Sequence, residues 1–213
     1  MKRFLGVLLT VLGVALVALP VARLVVDDHD ASRAQQRLLE DVPSQAVLQG
    51  RSGVPVARAV GLGRALVVME IARFGADWSW VAAEGTTQEV LAGGPGHYTQ
   101  TPLPGDRGNV AFAGHRAGHG SPFLDFDLLR PGDEVVLRQG STTWTYLIDT
   151  APRIVPAQAD WVLDPLRGRR LTLTTCWPKY GSEKRMFVRA HLERSAVGAP
   201  DPSPFSRAWP GRS

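Results

Sequence analysis

Only one cysteine, Cys176, occurs among the 213 residues. An intramolecular disulfide and a cysteine-based zinc cluster are thereby excluded. Excess charge of one sign is also scarce: 24 Lys and Arg against 20 Asp and Glu leave a formal net charge of +4, with no dense Lys/Arg run behind it. Nucleic-acid binding through a basic surface therefore has little support. No internal repeat is visible, so a repeat array is excluded. General disorder is excluded as well, because 44% of the residues are hydrophobic and 21% charged, enough to bury a core. What is plentiful is Gly (22) and Pro (16), together about 18%, which suits a loop-rich β protein better than a helical bundle. The length favours one domain with appendages.

One long hydrophobic run does occur. From Phe4 to Val26 the chain reads FLGVLLTVLGVALVALPVARLVV, 23 residues whose sole charge is Arg23. As a helix it would span roughly 34 Å, enough for a bilayer core. Lys2 and Arg3 precede it and Asp27, Asp28 and Asp30 follow, which by the positive-inside rule keeps the N-terminus in the cytoplasm and exports the rest. A cleaved signal peptide would begin the same way, but this run exceeds the usual ~7 to 15 residues and no small-x-small site precedes Arg23. Residues 1–26 are accordingly expected to form a cytoplasmic tip and a single transmembrane anchor. Residues 27–58 follow as an extracellular stalk with a short helix over Ser32–Asp41 ended by Pro43, and 59–194 as the folded body. Residues 195–213, rich in Pro and without periodicity, are expected to be disordered.

From about Leu66 the texture changes to short apolar runs punctuated by Gly, Pro and Asp: LVVMEIA, WSWVAAE, NVAFAGH, DEVVLRQ, TTWTYLID, RRLTLTTC and RMFVRAHLE. They read as strands of a closed or nearly closed β-barrel. Thr86–Leu91 reads as a helical turn before the Gly93-Gly94-Pro95-Gly96 break. Pro122–Leu129 reads as another, packing Phe123, Phe126, Leu128 and Leu129.

Cys176, the only thiol of an exported chain, is a candidate nucleophile. It ends LTLTTC, and Pro178 cannot extend a hydrogen-bonded ladder, so the sulfur sits at a strand exit. Alternation groups it with Thr172 and Thr174 on one face, and Leu171, Leu173 and Thr175 on the other. A buried structural cysteine is the competing reading. A nucleophilic thiol needs a proton acceptor or an imidazolium partner. Among His29, His97, His115, His119 and His191, His115 resembles a side chain delivered to a barrel rim, ending NVAFAGH ahead of a Gly-rich loop. His119 lies four residues on, but Gly114, Gly118 and Gly120 argue against the helix a metal-binding pair would need, and no third ligand is in view. A structural role for His115 stays open on these grounds. Arg185 starts RMFVRAHLE, with WPKYGSEK before it as a connecting loop. If the two strands are antiparallel neighbours it returns near Cys176, while Arg189 lies about 13 Å further along. Such an Arg anchors substrate or an oxyanion, or is simply a solvated strand end.

Taken together, AGHR at Ala113–Arg116, SPF at Ser121–Phe123, LLRPGDEV at Leu128–Val135, TLTTC at Thr172–Cys176 and Arg185 at a strand start resemble the sortase family. That family's catalytic pattern runs His, then Thr-Leu-x-Thr-Cys, then Arg. GGPGHY at Gly93–Tyr98, PGDRGNVAFAGHR at Pro104–Arg116, WVLDP at Trp161–Pro165 and TLTTCWPKY at Thr172–Tyr180 resemble the class E sortases of high-GC actinobacteria. The resemblance covers about Leu66 to Glu193. It implies a mainly β fold, a closed eight-stranded sortase-type β-barrel with short helices, behind the single N-terminal transmembrane helix.

The implied activity is that of a membrane-anchored cysteine transpeptidase. Cys176 would cut a C-terminal sorting signal of a secreted protein between Thr and Gly, with Leu-Ala-x-Thr-Gly preferred to Leu-Pro-x-Thr-Gly. A thioacyl intermediate would then pass to an amine of a peptidoglycan precursor or cross-bridge. By the same resemblance His115 protonates the leaving amine and assists the incoming one, and Arg185 positions the substrate and stabilises the oxyanion. Tyr98, Thr175 and Trp177 fall on the substrate side, and no metal or organic cofactor is required. Trp177 stands where class E sequences commonly carry His, which sets a large apolar ring beside the thiol. A membrane-tethered cysteine hydrolase and a non-catalytic β-barrel binding module are the rival readings.

Overall fold

Side-chain alternation in the short apolar runs sends every second residue to a common interior. The computed structural model describes residues 2–42, 48–49, 53–57 and 59–198. A long helix α1 (Lys2–Asp41) is followed by β1 (Leu48–Gln49), β2 (Pro55–Val56), β3 (Ala65–Glu70), β4 (Ser79–Glu84) and a short helix α2 (Gln88–Ala92). Then come β5 (Gly96–His97), β6 (Gly108–Ala113), β7 (Glu134–Gln139), β8 (Thr142–Ile148), β9 (Arg153–Pro156), β10 (Arg169–Trp177) and β11 (Lys184–Val197). The interior set includes Val135 and Leu137 of β7, Trp144 and Tyr146 of β8, Leu171 and Leu173 of β10, and Met186 and Val188 of β11.

The strands run β10-β6-β5-β4-β3-β7-β8-β11, and β10 pairs back onto β11, which closes an eight-stranded barrel. β9 is added outside that ring along β11, and β1 and β2 form a separate ribbon. The β4–β5 and β6–β10 pairs are parallel. All seven runs read as strands are strands. β5 and β9 are additional, and each is too short to show alternation. The first expected turn is α2, whose Thr87 hydroxyl accepts from the Val90 N–H at 3.4 Å, and the second is a 3-10 turn over Phe126–Leu128. β11 continues past residue 194 to Val197, with Ser195 opposite Trp144 of β8. The Pro-rich segment from 199 onward lies outside the described residues.

The short helix expected over Ser32–Asp41 is the end of α1, and it is docked on the barrel instead of spacing it from what precedes. Ala31 and Gln35 are buried. The Gln35 carboxamide donates to the carbonyls of Val81 (2.9 Å) and Gly93 (2.6 Å) and accepts from the Val81 N–H (2.8 Å). It thus pairs with β4 as a neighbouring strand would, on an edge that β5 reaches only at Ala83 and Glu84. Gly94, at φ +145°, is what allows this approach, since a Cβ there would lie 2.4 Å from the Gln35 amide nitrogen. At the helix end Asp41 accepts from the Ala65 N–H at 3.2 Å and pairs with Arg64. The expected spanning segment, Phe4–Val26, lies for most of its side chains outside the described residues. Among the described residues no helix is long and apolar enough to cross a membrane.

Gln35→Leu keeps the volume and strands three buried backbone groups. It is expected to cost about 3 kcal/mol in chemical denaturation and to speed hydrogen exchange of the Val81 amide. An unchanged Val81 exchange rate would show that the helix does not hold that edge.

Candidate active site

β10 lies between β6 and β11, and its register sets the site. Across the antiparallel β10–β11 pair, Cys176 stands directly opposite Arg185. On the other side the parallel register runs Leu173 to Phe112 and Thr174 to Ala113, and the Gly114 N–H donates to the Thr174 carbonyl at 3.1 Å. Two residues further along each strand come Cys176 and His115. Cys, His and Arg therefore meet at one end of three adjacent strands. Cys176 is a free, half-buried thiol on the face it shares with Thr172 and Thr174.

The Arg185 Nη1 donates to the carbonyls of Ser182 (3.1 Å) and Lys184 (3.2 Å), which ties its guanidinium to the β10–β11 loop. Among the described residues it has no carboxylate partner, so its charge stays available to an oxyanion beside Cys176. His115 is half-buried, and its Nε2 is buried with no hydrogen-bond partner among the described residues. That nitrogen is uncommitted but enclosed, and acid–base work asks that a reactant come within hydrogen-bond reach of the ring. Burial, and then the neighbouring His119, push its imidazole below the usual histidine range, so the neutral ring prevails at pH 7. The two rings lie 4.8 Å apart, centroid to centroid, tilted by 36°.

His119 belongs to a loop held in unusual backbone conformations: φ is 52° at His119 and 49° at Ser121. Left-handed residues of this kind persist where the surroundings fix them. Here the Ser121 N–H donates to the Gly118 carbonyl at 2.9 Å, and the Gly120 N–H donates to Asp28 of α1 at 3.0 Å. The docked helix thus also holds the loop beside His115.

Of the residues expected on the substrate side, Tyr98 leaves β5 and shares a hydrogen bond of 3.0 Å with the Thr174 hydroxyl, on the Cys176 face of β10. Thr175 is buried and donates to the Gly114 carbonyl at 2.9 Å, so its hydroxyl ties the nucleophile strand to the His115 strand. Trp177 is half-buried, with the Arg116 guanidinium 5.1 Å from its ring centre. Arg116 is a residue to which sequence reasoning gave no role. It is 2% exposed, donates to Asp127 at 2.6 Å, and lies 3.8 Å from the Met186 sulfur. Its only signal was its position directly after His115 in AGHR. Beneath Tyr98, His97 is buried with Nδ1 3.0 Å from a Glu84 carboxylate oxygen and Nε2 3.0 Å from the Pro102 carbonyl. Among the described residues no group of three or more His, Cys, Asp or Glu is placed to hold a metal ion.

If His115 must deprotonate before a thiolate can form, its protonation marks the acid limb of kcat/KM. His119→Gln removes one of the two causes that depress it. The acid limb is then expected to move to higher pH, read from a pH profile of peptide cleavage. A shift to lower pH would contradict the arrangement. The depressed value also links folding to protons: below about pH 6.5 the unfolded chain binds more protons than the folded one, so stability falls as pH is lowered.

A family profile described as the sortase domain matches residues 69–193. Sortase SrtE1 of Streptomyces coelicolor is 36% identical over 121 residues, covering 50% of this chain and 34% of the relative. Sortase SrtE2 of the same organism is 30% identical over 129 residues, covering 53% of this chain and 50% of the relative. The match therefore spans half or less of these curated relatives. Among solved structures, sortase E of Streptomyces avermitilis is 44% identical, with a TM-score of 0.61 over 64% of this chain and 93% of that one. Sortase E1 of Streptomyces coelicolor, solved with a tripeptide in its active site, is 29% identical, with a TM-score of 0.58 over 67% of this chain and 98% of that one. A profile match across the whole span from β3 to β11, joined to a barrel that superposes on nearly the full length of these structures, means that this chain belongs to the sortase family.

Proposed function

We propose that the protein is a membrane-anchored cysteine transpeptidase that joins secreted proteins to an amine of the cell wall. The observation that carries this reading is the convergence of Cys176, Arg185 and His115 at the end of β10, β11 and β6. His115, neutral at rest, takes the thiol proton of Cys176 as the sulfur attacks the carbonyl of the Thr in a sorting signal of the Leu-Ala-x-Thr-Gly or Leu-Pro-x-Thr-Gly type. Arg185, directly across the ladder, meets the negative charge that develops on the carbonyl oxygen. His115 delivers a proton to the departing Gly amine, leaving a thioester on Cys176. It later takes a proton from the incoming amine as that amine displaces the Cys176 sulfur, and returns the proton to the thiolate, which closes the cycle with a new amide bond.

Tyr98 flanks the acyl chain and Thr175 keeps the two strands in register, while Trp177, on the face of β10 opposite Cys176, packs against the barrel core beside Arg116. The incoming amine is supplied by a peptidoglycan precursor or cross-bridge. No organic cofactor or metal enters these steps. The apolar composition of Phe4–Val26, with Lys2 and Arg3 before it, supports an anchor whose N-terminus is cytoplasmic and whose barrel is outside.

The test is incubation of the full-length chain in nonionic micelles with a Leu-Ala-Glu-Thr-Gly peptide, with and without excess amine, followed by mass spectrometry. The expected result is an amide-linked product ending at Thr that forms only when amine is added. Cleavage to the free acid regardless of amine would identify a hydrolase. No reaction with this peptide or its Leu-Pro counterpart would favour a binding module.

A further inference from the structure

Strand alternation carries the face that holds Cys176 and Arg185 further along the sheet, to Arg170 on β10 and to Phe187 and Arg189 on β11. There it opens into a second concavity of about 260 Å³ lined by Arg153, Arg167, Arg170, Arg189, Asp149 and Phe187, among others. Arg170 lies six residues from Cys176, about 20 Å at strand rise. Between the two sites Phe187 is covered by Val155, Ala159 and Val162, so the concavity is not part of the thiol site.

Four guanidiniums share the lining with one carboxylate, Asp149, which is already engaged, and from outside the lining Asp164 offsets only part of the charge around Arg189. Asp149 accepts from Arg170 at 2.8 Å and meets His191 Nδ1 at 2.6 Å. Among the described residues Arg153, Arg167 and Arg189 have no ion-pair partner. Arg189 is held in place by two rings, its guanidinium carbon 5.8 Å from the Trp161 centroid and 5.6 Å from that of Phe187. Its Nε is buried and makes no hydrogen bond. Burial first, and then the charge of Arg153, push its guanidinium below the usual arginine range. A fold gains nothing from gathering unneutralised like charges around a small hollow, whereas an anion seated among them relieves the repulsion and completes the hydrogen bonding.

We propose that this concavity is a binding site for a phosphoryl group, in which Arg153, Arg167 and Arg189 supply the fork-shaped donors. Phosphate is favoured over carboxylate by charge density. A phosphate monoester brings about −1.5 to −2 in one group with three acceptor oxygens, which suits three uncommitted guanidiniums in so small a volume. The site is separate from the thiol chemistry and does not rest on it.

Inorganic diphosphate is the probe. It is titrated calorimetrically into the full-length chain in nonionic micelles at fixed ionic strength, beside citrate. Saturable one-to-one binding of diphosphate, weaker binding of citrate, and at least about tenfold weaker diphosphate binding by Arg153→Gln/Arg167→Gln are expected. Both substituted residues are exposed, so the variant keeps its core. Citrate binding as tightly as diphosphate, or an unchanged affinity in the variant, would overturn the proposal. Doping the micelles with an alkyl phosphate then separates the two sources of the group. Displacement of diphosphate assigns it to a lipid-borne phosphate, and continued binding assigns it to a soluble one.

Discussion

Alanine in place of Cys176 is expected to abolish both cleavage and transfer, a fall on the order of 10⁴-fold or more in kcat/KM. The sulfur is half-buried and makes no hydrogen bond among the described residues, so stability is expected to change by no more than about 0.5 kcal/mol. His115→Asn keeps the volume but cannot shuttle a proton at this pH, and is expected to cost about 10²–10⁴-fold. The two act on one bond-making event, so the double variant is expected to be no slower than Cys176→Ala alone. Steady-state kinetics with the sorting peptide, paired with thermal unfolding of each variant, provides the check. Turnover surviving in Cys176→Ala would remove the thioester from the mechanism.

The largest effect on stability is expected at His97, away from the reacting atoms. Its ring is 1% exposed and lies against Glu84, itself 9% exposed. His97→Leu leaves that carboxylate buried without a partner, a loss of about 3–5 kcal/mol. For a body of this size the midpoint of thermal unfolding is expected to fall by roughly 10–15 °C. Glu84→Leu in the same chain removes the stranded charge and is expected to restore much of the loss, since a buried pair replaced by apolar groups is often nearly neutral. A double-mutant cycle measures the coupling. Additive losses from the two substitutions would mean that the residues do not act as a pair. Because Tyr98 follows His97 and bonds to Thr174, the single variant is also expected to raise KM.

The barrel was legible because its strands are long enough for period-two alternation to show, as in EVVLRQ and RRLTLTTC. β5 escaped notice because two residues, Gly96 and His97, carry no period. The pairing of Cys176 with Arg185 could be anticipated by counting around a short loop, since antiparallel register propagates from the turn. Arg116 could not, because a charged side chain reads as surface until a ring, a sulfur and a carboxylate are seen to enclose it. The docking of α1 was hidden for a related reason. Its contacts come from Asp28, Ala31 and Gln35, with Ala34 and Leu38 against Gly93, a face whose apolar members are few and interrupted by a buried amide. The arginine-lined hollow is assembled from β9, β10, β11 and two loops, which no local pattern brings together.

A steric consequence follows for any partner from the unbroken course of α1 into its barrel contacts. A domain on a slack leash can swivel to meet an approaching chain. Here the helix is pinned at Asp28, Gln35 and Asp41, so the mouth between His115 and Cys176 keeps one compass bearing relative to the rest of the helix. The incoming polypeptide must do the travelling.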